Sequence, residues 1–143
     1  MLDRCIFIAA SFLVATSVLA ADLLDPSVAF RTAARLVKPG LIEVRYDTAP
    51  GYYLYRDRLE FRIEPAGATL GKPQLPPGKV KEDEFFGKSV IYRNRTVVRI
   101  PVSTAPAGQP LTLIADLQGC ADLGVCYPPV RRTLPLAAAP GTQ

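Results

Sequence analysis

The chain has 143 residues, a formal net charge of +4 and no histidine. Ser-His-Asp and Cys-His nucleophilic systems need an imidazole, so both are excluded, as are ordinary zinc and copper sites with histidine ligands. Basic and acidic residues alternate along the sequence, whereas a nucleic-acid-binding surface concentrates its bases on one face. The chemistry open to this chain therefore depends on thiols, carboxylates, tyrosines and the backbone.

The N-terminal residues follow the pattern of a secretory signal peptide. A short start with Arg4 precedes the apolar run IFIAASFLVATSV, and small residues follow that run. The run is shorter than the roughly 20 residues that span a membrane. We expect residues 1–20 to be a signal peptide cleaved after Ala20, with Ala21 as the alternative site. An uncleaved N-terminal anchor is the other interpretation.

Removal of this segment leaves about 120 residues, a length that suits one domain with a single core. We expect that domain over residues 21–137, and a C-terminal tail or the beginning of a linker over residues 138–143. The removed segment contains Cys5, so Cys120 and Cys126 remain. Export would place these two cysteines in a compartment where disulfides persist.

Short apolar segments recur between the 14 prolines and 10 glycines, a rhythm typical of an all-β sandwich. Alternating apolar and polar residues predict strands within residues 41–46, 59–64, 98–102 and 111–117. Residues 27–37 are compatible with a helix or with a strand that has an irregular start. Residues 70–87 are predicted to form one long loop, and such loops are usually functional or disordered.

The stretch QGCADLGVCYPP contains both remaining cysteines, with five residues between them. As a structural staple, such a short loop would stabilise the fold by roughly 2.4 kcal/mol in the chain-entropy treatment, against about 4.7 for a 100-residue loop. The spacing is not the C-x-x-C of thioredoxin-type sites. From the spacing alone, a structural disulfide and a redox-active pair both remain open.

Two other stretches contain residues that could carry chemistry. GYYLYR, residues 51–56, has the composition of a core strand whose tyrosines pack inside. KEDEFFGKSVIYR, residues 81–93, combines an acidic cluster with two phenylalanines. The simpler interpretation of the second stretch is a solvated loop with Phe85 or Phe86 tucked into the core.

In this order and spacing, the three stretches resemble the N-terminal periplasmic domain of the DsbD family of thiol:disulfide interchange proteins. The resemblance covers roughly residues 29–136. It implies an all-β, immunoglobulin-like β-sandwich with a redox-active cysteine loop and a cap loop. It also implies a periplasmic protein-disulfide reductase module, which we expect to be monomeric because its exposed cap must admit different partners in turn. The module would pass electrons from a membrane-embedded donor to thioredoxin-fold proteins of the DsbC, DsbG and CcmG type, without metal, flavin or nucleotide cofactors.

The resemblance also implies a role for individual residues. Cys120 and Cys126 would be the redox pair, with Cys126 forming the mixed disulfide with the partner and Cys120 resolving it. Phe85 would shield the disulfide as part of the cap. Tyr53 and Tyr55 would form the aromatic wall against which the cap packs.

Asp83 and Glu84 directly precede Phe85, and we expect these two acids to raise the pKa of the Cys126 thiol. Carboxylates near a partly buried thiol disfavour its thiolate, which would keep Cys126 unreactive until a partner docks.

The sequence departs from the family in two respects. Phe86 stands where many members have tyrosine, and the chain is shorter than members that continue into membrane helices. A fragment and a stand-alone protein are both compatible with that length.

Two other functions remain as alternatives. One is an exported β-sandwich adaptor whose disulfide is purely structural and whose Phe85 loop docks a partner. The other is a copper(I) site formed by the two thiolates, which are soft ligands suited to that ion.

Overall fold

The computed structural model of the chain describes residues 22–103 and 110–137. The predicted signal peptide, residues 1–20, and the predicted tail, residues 138–143, lie outside these ranges. A short helix, α1 (Pro26–Ala29), opens the described part, and a 3-10 turn (Arg56–Arg58) follows the third strand. The strands are β1 (Phe30–Lys38), β2 (Leu41–Thr48), β3 (Tyr52–Tyr55), β4 (Glu60–Glu64), β5 (Thr69–Leu70), β6 (Lys79–Asp83), β7 (Gly87–Tyr92), β8 (Arg95–Ser103), β9 (Thr112–Leu117), β10 (Gly119–Ala121), β11 (Val125–Cys126) and β12 (Val130–Pro135).

The strands form antiparallel sheets, which confirms the predicted all-β sandwich. Their orders are β1-β2-β8-β5, β11-β10-β3-β7-β6 and β12-β9-β4. The alternation in residues 41–46 was predicted correctly, because Ile42, Val44 and Tyr46 are completely buried. The apolar residues at alternate positions of β4, β8 and β9 likewise face the interior between the sheets.

Residues 27–37 adopt the second of the two predicted conformations, a strand with an irregular start. The Asp25 side chain accepts a hydrogen bond from the Ser27 N–H at 2.8 Å and caps α1, whose first residue is Pro26. The chain then becomes extended at Phe30, and β1 pairs with β2 from Phe30 to Lys38 with one register shift between Leu36 and Lys38.

The prediction of one continuous loop over residues 70–87 was wrong. Lys79–Asp83 forms β6, which pairs with β7 up to the facing residues Asp83 and Gly87. β6 lies at the edge of the five-stranded sheet. Charged residues on an edge strand prevent pairing with other chains, and they also remove the apolar alternation that identifies a strand. Residues 84–86 form the tip of this hairpin, which we call the cap.

Two separate clusters of buried side chains lie on opposite faces of β3. Tyr52 and Leu54 belong to the main core between the sheets. Tyr53 and Tyr55 belong to a second, smaller cluster with Ile91 and Cys120. Because successive side chains of a strand point to opposite faces, the YYLY segment contributes to both clusters. No helix in the described ranges is long and apolar enough to span a membrane.

Candidate functional site

The two cysteines lie opposite each other in a short hairpin and form a disulfide. β10 pairs with β11 so that Cys120 faces Cys126, and β10 also pairs with β3. The connecting turn closes with a hydrogen bond from the Gly124 N–H to the Ala121 carbonyl at 3.0 Å. Gly124 has φ 90°, a left-handed conformation that glycine adopts without strain. The disulfide therefore joins neighbours that the hairpin already holds together, rather than two distant strands.

The two sulfurs differ in accessibility. Cys120 is 0% exposed, whereas Cys126 is only partly buried. Thiol–disulfide exchange requires an attacking thiolate to reach one sulfur directly. In this geometry a partner can approach Cys126 but not Cys120.

Tyr53 and Tyr55 line the buried side of the disulfide. Their rings meet edge to face with centroids 5.4 Å apart, and both side chains are almost completely buried. The Tyr55 hydroxyl oxygen lies 3.2 Å from Cys120 Sγ and 3.8 Å from Cys126 Sγ. The structure thus brings the two predicted tyrosines and the two predicted cysteines into one cluster.

Asp83 connects the tyrosines to the cap through four hydrogen bonds. Its Oδ2 accepts bonds from the hydroxyls of Tyr53 at 3.0 Å and Tyr55 at 2.5 Å. Its Oδ1 accepts bonds from the backbone N–H groups of Phe85 at 3.0 Å and Phe86 at 2.9 Å. One carboxylate therefore both orders the cap and orients the tyrosine hydroxyls beside the disulfide.

The pKa shifts of Asp83, Tyr53 and Tyr55 agree with this hydrogen-bond network. Burial opposes ionisation of Asp83, but hydrogen bonds from Tyr55, the Phe86 N–H, Tyr53 and the Phe85 N–H outweigh it and lower its pKa. Burial raises the pKa of Tyr55, and its hydrogen bond to Asp83 raises it further. Burial is also the main reason why the pKa of Tyr53 is raised. Both tyrosines therefore remain protonated donors to an ionised Asp83.

We expect the cap to loosen in acid, because the lowered pKa of Asp83 links its ionisation to cap order. A depressed carboxyl pKa stabilises the native cap above the ordinary value of about 3.9, and that contribution is lost as the pH falls through the lowered value. Asp83→Asn should remove this pH dependence. It should also speed hydrogen exchange at the Phe85 and Phe86 amides about ten-fold, since a hydrogen bond to a charged group contributes about 1.5 kcal/mol or more. Amide exchange followed by NMR against pH measures both effects.

Glu84→Gln is the matched control for that variant. Glu84 is exposed at the cap and adjoins Asp83. The control removes the same charge from the next residue and leaves the four bonds to Asp83 in place. Equal acceleration of amide exchange in both variants would mean that charge, rather than the hydrogen-bond network, orders the cap.

The two phenylalanines of the cap occupy different positions. Phe86 is partly buried, and its ring lies edge to face on the Tyr55 ring with centroids 4.7 Å apart. Phe86 and Cys126 both pack against the buried cluster that contains Cys120. Phe85 is 41% exposed. The shielding role of Phe85 stays a prediction, and the ring that packs inward is Phe86, a choice that the sequence left open between the two phenylalanines.

The cysteine hairpin is also anchored to the end of β7. Arg93 donates two hydrogen bonds to the carboxylate of Asp122, at 3.0 and 2.8 Å, and one to the Tyr52 carbonyl at 3.3 Å. An arginine and a carboxylate joined by two hydrogen bonds attract each other by charge and are also held in one relative orientation. Asp122 lies in the turn between the cysteines, so this pair positions the turn.

Within the described ranges, no group of three or more potential metal ligands could hold an ion.

Comparison with known proteins agrees with this geometry. The family described as "Thiol:disulfide interchange protein DsbD, N-terminal" matches residues 20–138. The chain belongs to this family. DsbD of Ralstonia nicotianae is 46% identical over 123 residues, which cover 83% of the chain and 20% of that relative. DsbD 1 of Pseudomonas aeruginosa is 51% identical over 89 residues, which cover 62% of the chain and 15% of that relative.

Solved structures of DsbD N-terminal domains share the fold. The crystal structure of the Neisseria meningitidis DsbD N-terminal domain in the reduced form has a TM-score of 0.73 and 38% identity, covering 82% of this chain and 91% of that one. A structure of the complex between the DsbD N-terminal and PilB N-terminal domains from the same species also matches, with a TM-score of 0.67 and 39% identity. The match covers 81% of this chain and 88% of the matched chain. The chain thus spans nearly all of a DsbD N-terminal domain but only 20% of the length of a curated full-length relative.

Proposed function

We propose that the chain is a periplasmic thiol–disulfide exchange module that reduces thioredoxin-fold proteins through a reversible Cys120–Cys126 disulfide. The observation that carries this proposal is the asymmetry of the pair: one sulfur is fully buried and the other is accessible beside a cap. A purely structural disulfide has no need of such an arrangement. Membership in the DsbD family supports the exchange chemistry.

In the reductive half of the cycle, the disulfide gains two electrons. A thiolate of the membrane-embedded donor attacks Cys126 Sγ, forming a mixed disulfide and releasing Cys120 as a thiolate that takes up a proton. The donor's second thiolate then attacks the donor sulfur of that mixed disulfide and releases Cys126. The donor is left with a disulfide, and the module holds two thiols.

In the oxidative half, the same electrons move to the partner. The Cys126 thiolate attacks the partner's disulfide, and one partner sulfur leaves as a thiolate. Cys120 then attacks Cys126 Sγ, which re-forms the module's disulfide and releases the partner as a dithiol. The solved complex of a related DsbD N-terminal domain with a PilB domain supports a protein as the partner.

Tyr55 and Asp83 have a place in this cycle. The Tyr55 O–H donates to Asp83, so its oxygen lone pairs are free to accept a hydrogen bond from the Cys120 thiol that reduction creates; in the disulfide form the two atoms lie 3.2 Å apart. The negative charge of Asp83 lies one hydroxyl group from the sulfurs and disfavours a second negative charge there. Asp83, with Glu84 beside it, would therefore hold the reduced pair as thiols between encounters.

The reduction potential of the Cys120–Cys126 pair tests the proposal. We expect a value between about −180 and −270 mV, the range of known exchange catalysts. Alkylation of free thiols after equilibration in defined thiol buffers measures it. A value below about −300 mV marks a structural disulfide that cellular thiols leave closed. That result would reject the reductase in favour of the adaptor with a structural disulfide.

A further inference from the structure

Arg58 contacts the cap from a different part of the chain. It lies in the 3-10 turn after β3, and its guanidinium carbon is 4.3 Å from the centroid of the Phe86 ring. A cation within about 6 Å of a ring centroid is attracted by the negative face of the ring. Phe86 is therefore held by two groups, the guanidinium of Arg58 and the Tyr55 ring beside the disulfide.

The charge of Arg58 is not neutralised within the described part of the chain. Three arginines near the site form ion pairs: Arg56 with Asp57, Arg93 with Asp122 and Arg131 with Asp116. Arg58 forms no such pair with any described residue, and it is exposed. No carboxylate of the described chain lies within ion-pair distance of its guanidinium, so its donors are open to a group from another molecule.

Arg58 also lines a cleft beside the cysteine hairpin. The cleft has a volume of about 350 Å³, and its other walls include Gln118 and Pro129, which flank the two cysteines in sequence. Two acids, Glu60 and Asp116, also line it, and the charge of Asp116 is balanced by ion pairs with Arg62 and Arg131. The Gln118 amide donates a hydrogen bond to the Tyr127 carbonyl at 3.1 Å, so this wall is fixed to the residue that follows Cys126. A side chain that enters the cleft therefore lies next to the cysteine hairpin and within reach of Arg58.

We propose that Arg58 is a latch on the cap and the docking point for a carboxylate of the partner protein. In the free module its guanidinium holds Phe86 on Tyr55. A partner carboxylate that enters the cleft forms a charge-assisted hydrogen bond with Arg58 and draws it off the ring. Phe86 is then released, and the partly buried Cys126 becomes more exposed to a partner that carries an acid at this position. The proposal rests on the exchange function proposed above and adds the feature by which the partner is recognised.

The experiment compares Arg58→Gln with Arg56→Gln in two reactions, one that starts from the oxidised protein and one that starts from the reduced protein. Arg56 lies two residues away and pairs with Asp57, so its substitution removes the same charge without touching the cap. The first reaction is reduction by dithiothreitol, which leaves two protein thiols and cyclic oxidised dithiothreitol. The second is exchange between the pre-reduced protein and an oxidised DsbC-type isomerase.

The latch predicts that Arg58→Gln moves the two rates in opposite directions. Reduction by dithiothreitol should be about 2- to 5-fold faster, which corresponds to the loss of an exposed cation–π contact. Exchange with the isomerase should be about 3-fold slower, because a charge that orients the partner is lost. The Arg56→Gln protein should match the wild-type protein in both reactions.

Two results would overturn the proposal: both rates unchanged by Arg58→Gln, or both rates changed in the same direction. A purely structural effect of the substitution gives the second result, because a loosened cap admits every reactant more easily. Failure of the exchange function is distinguishable from these outcomes. In that case the wild-type protein would react with dithiothreitol but not with the isomerase.

Discussion

Replacing Cys120 with serine should stop exchange at the mixed disulfide, with Cys126 still bonded to the partner. Cys120 is completely buried and Cys126 is partly exposed, so only Cys126 can form the intermolecular bond. Without the second thiol the intermediate cannot be resolved, and the two-electron disulfide cannot re-form. Turnover should fall below detection while a covalent complex accumulates. Non-reducing gel electrophoresis and a partner-reduction assay measure the two effects.

The Cys126→Ser protein is the matched control, since it makes the same change of sulfur to oxygen on the facing strand. Its remaining thiol lies behind Tyr53 and Tyr55, and we expect no covalent complex with the partner. Equal yields of complex from the two variants would show that both sulfurs are reachable. The assignment of Cys126 as the attacking thiol would then be wrong.

Gly119→Ala should be strongly destabilising, because no side chain fits at the beginning of β10. A Cβ atom at this position would overlap the Tyr53 carbonyl oxygen and approach two ring carbons of Phe30 at 2.6 Å. Phe30 cannot move away, because it is 0% exposed and packs edge-on against Tyr52 and Tyr127. Overpacking of this kind lowers the free energy of unfolding by about 3 kcal/mol. Urea denaturation of the oxidised protein measures this change.

Gly124→Ala in the same hairpin separates crowding from backbone strain. Gly124 has φ 90°, but a Cβ there would meet no atom within 4 Å. Its substitution should cost only the left-handed conformation, about 1–2 kcal/mol. If Gly119→Ala destabilised the protein no more than Gly124→Ala, the close packing of Phe30 against Gly119 would not determine the cost.

The strands that the sequence predicted are those with one face on the core and one in water. β2 is an example, since Ile42, Val44 and Tyr46 alternate with polar residues and are all buried. β6 was missed for the opposite reason. Its KVKED segment is an edge strand that is largely exposed, so its formation depends on pairing with β7 rather than on a buried face. A pairing partner leaves no periodic signal in the strand itself.

The site was predictable to the extent that its residues lie in recognisable motifs. Cys120, Cys126, Tyr53 and Tyr55 were identified by resemblance and Asp83 by its position beside the cap, and the structure brings them together. The hydrogen bonds from both tyrosines to Asp83 could not be predicted, because they join residues about 30 positions apart across a sheet. The pattern of charges around that carboxylate was equally compatible with a solvated loop.

The cap contacts of Arg58 and Phe86 have no local signature. In the sequence, RDR has the appearance of a solvated charged turn, and FF offers no means of choosing which ring packs inward. The choice follows from the hairpin register, in which Asp83 faces Gly87 and the tip carries Phe86 onto Tyr55. Such a contact depends on the three-dimensional arrangement of two distant turns, which sequence patterns do not contain.

The two faces of β3 have a consequence for how such a domain can diverge. Tyr52 and Leu54 contribute to the main core, whereas Tyr53 and Tyr55 contribute to the cluster around the disulfide. Substitutions at the second pair can therefore retune reactivity and partner preference while the sandwich keeps its own packing. Natural variation or engineering could thus produce modules of different redox behaviour on one unchanged scaffold, with every second residue of a four-residue strand as the adjustable part.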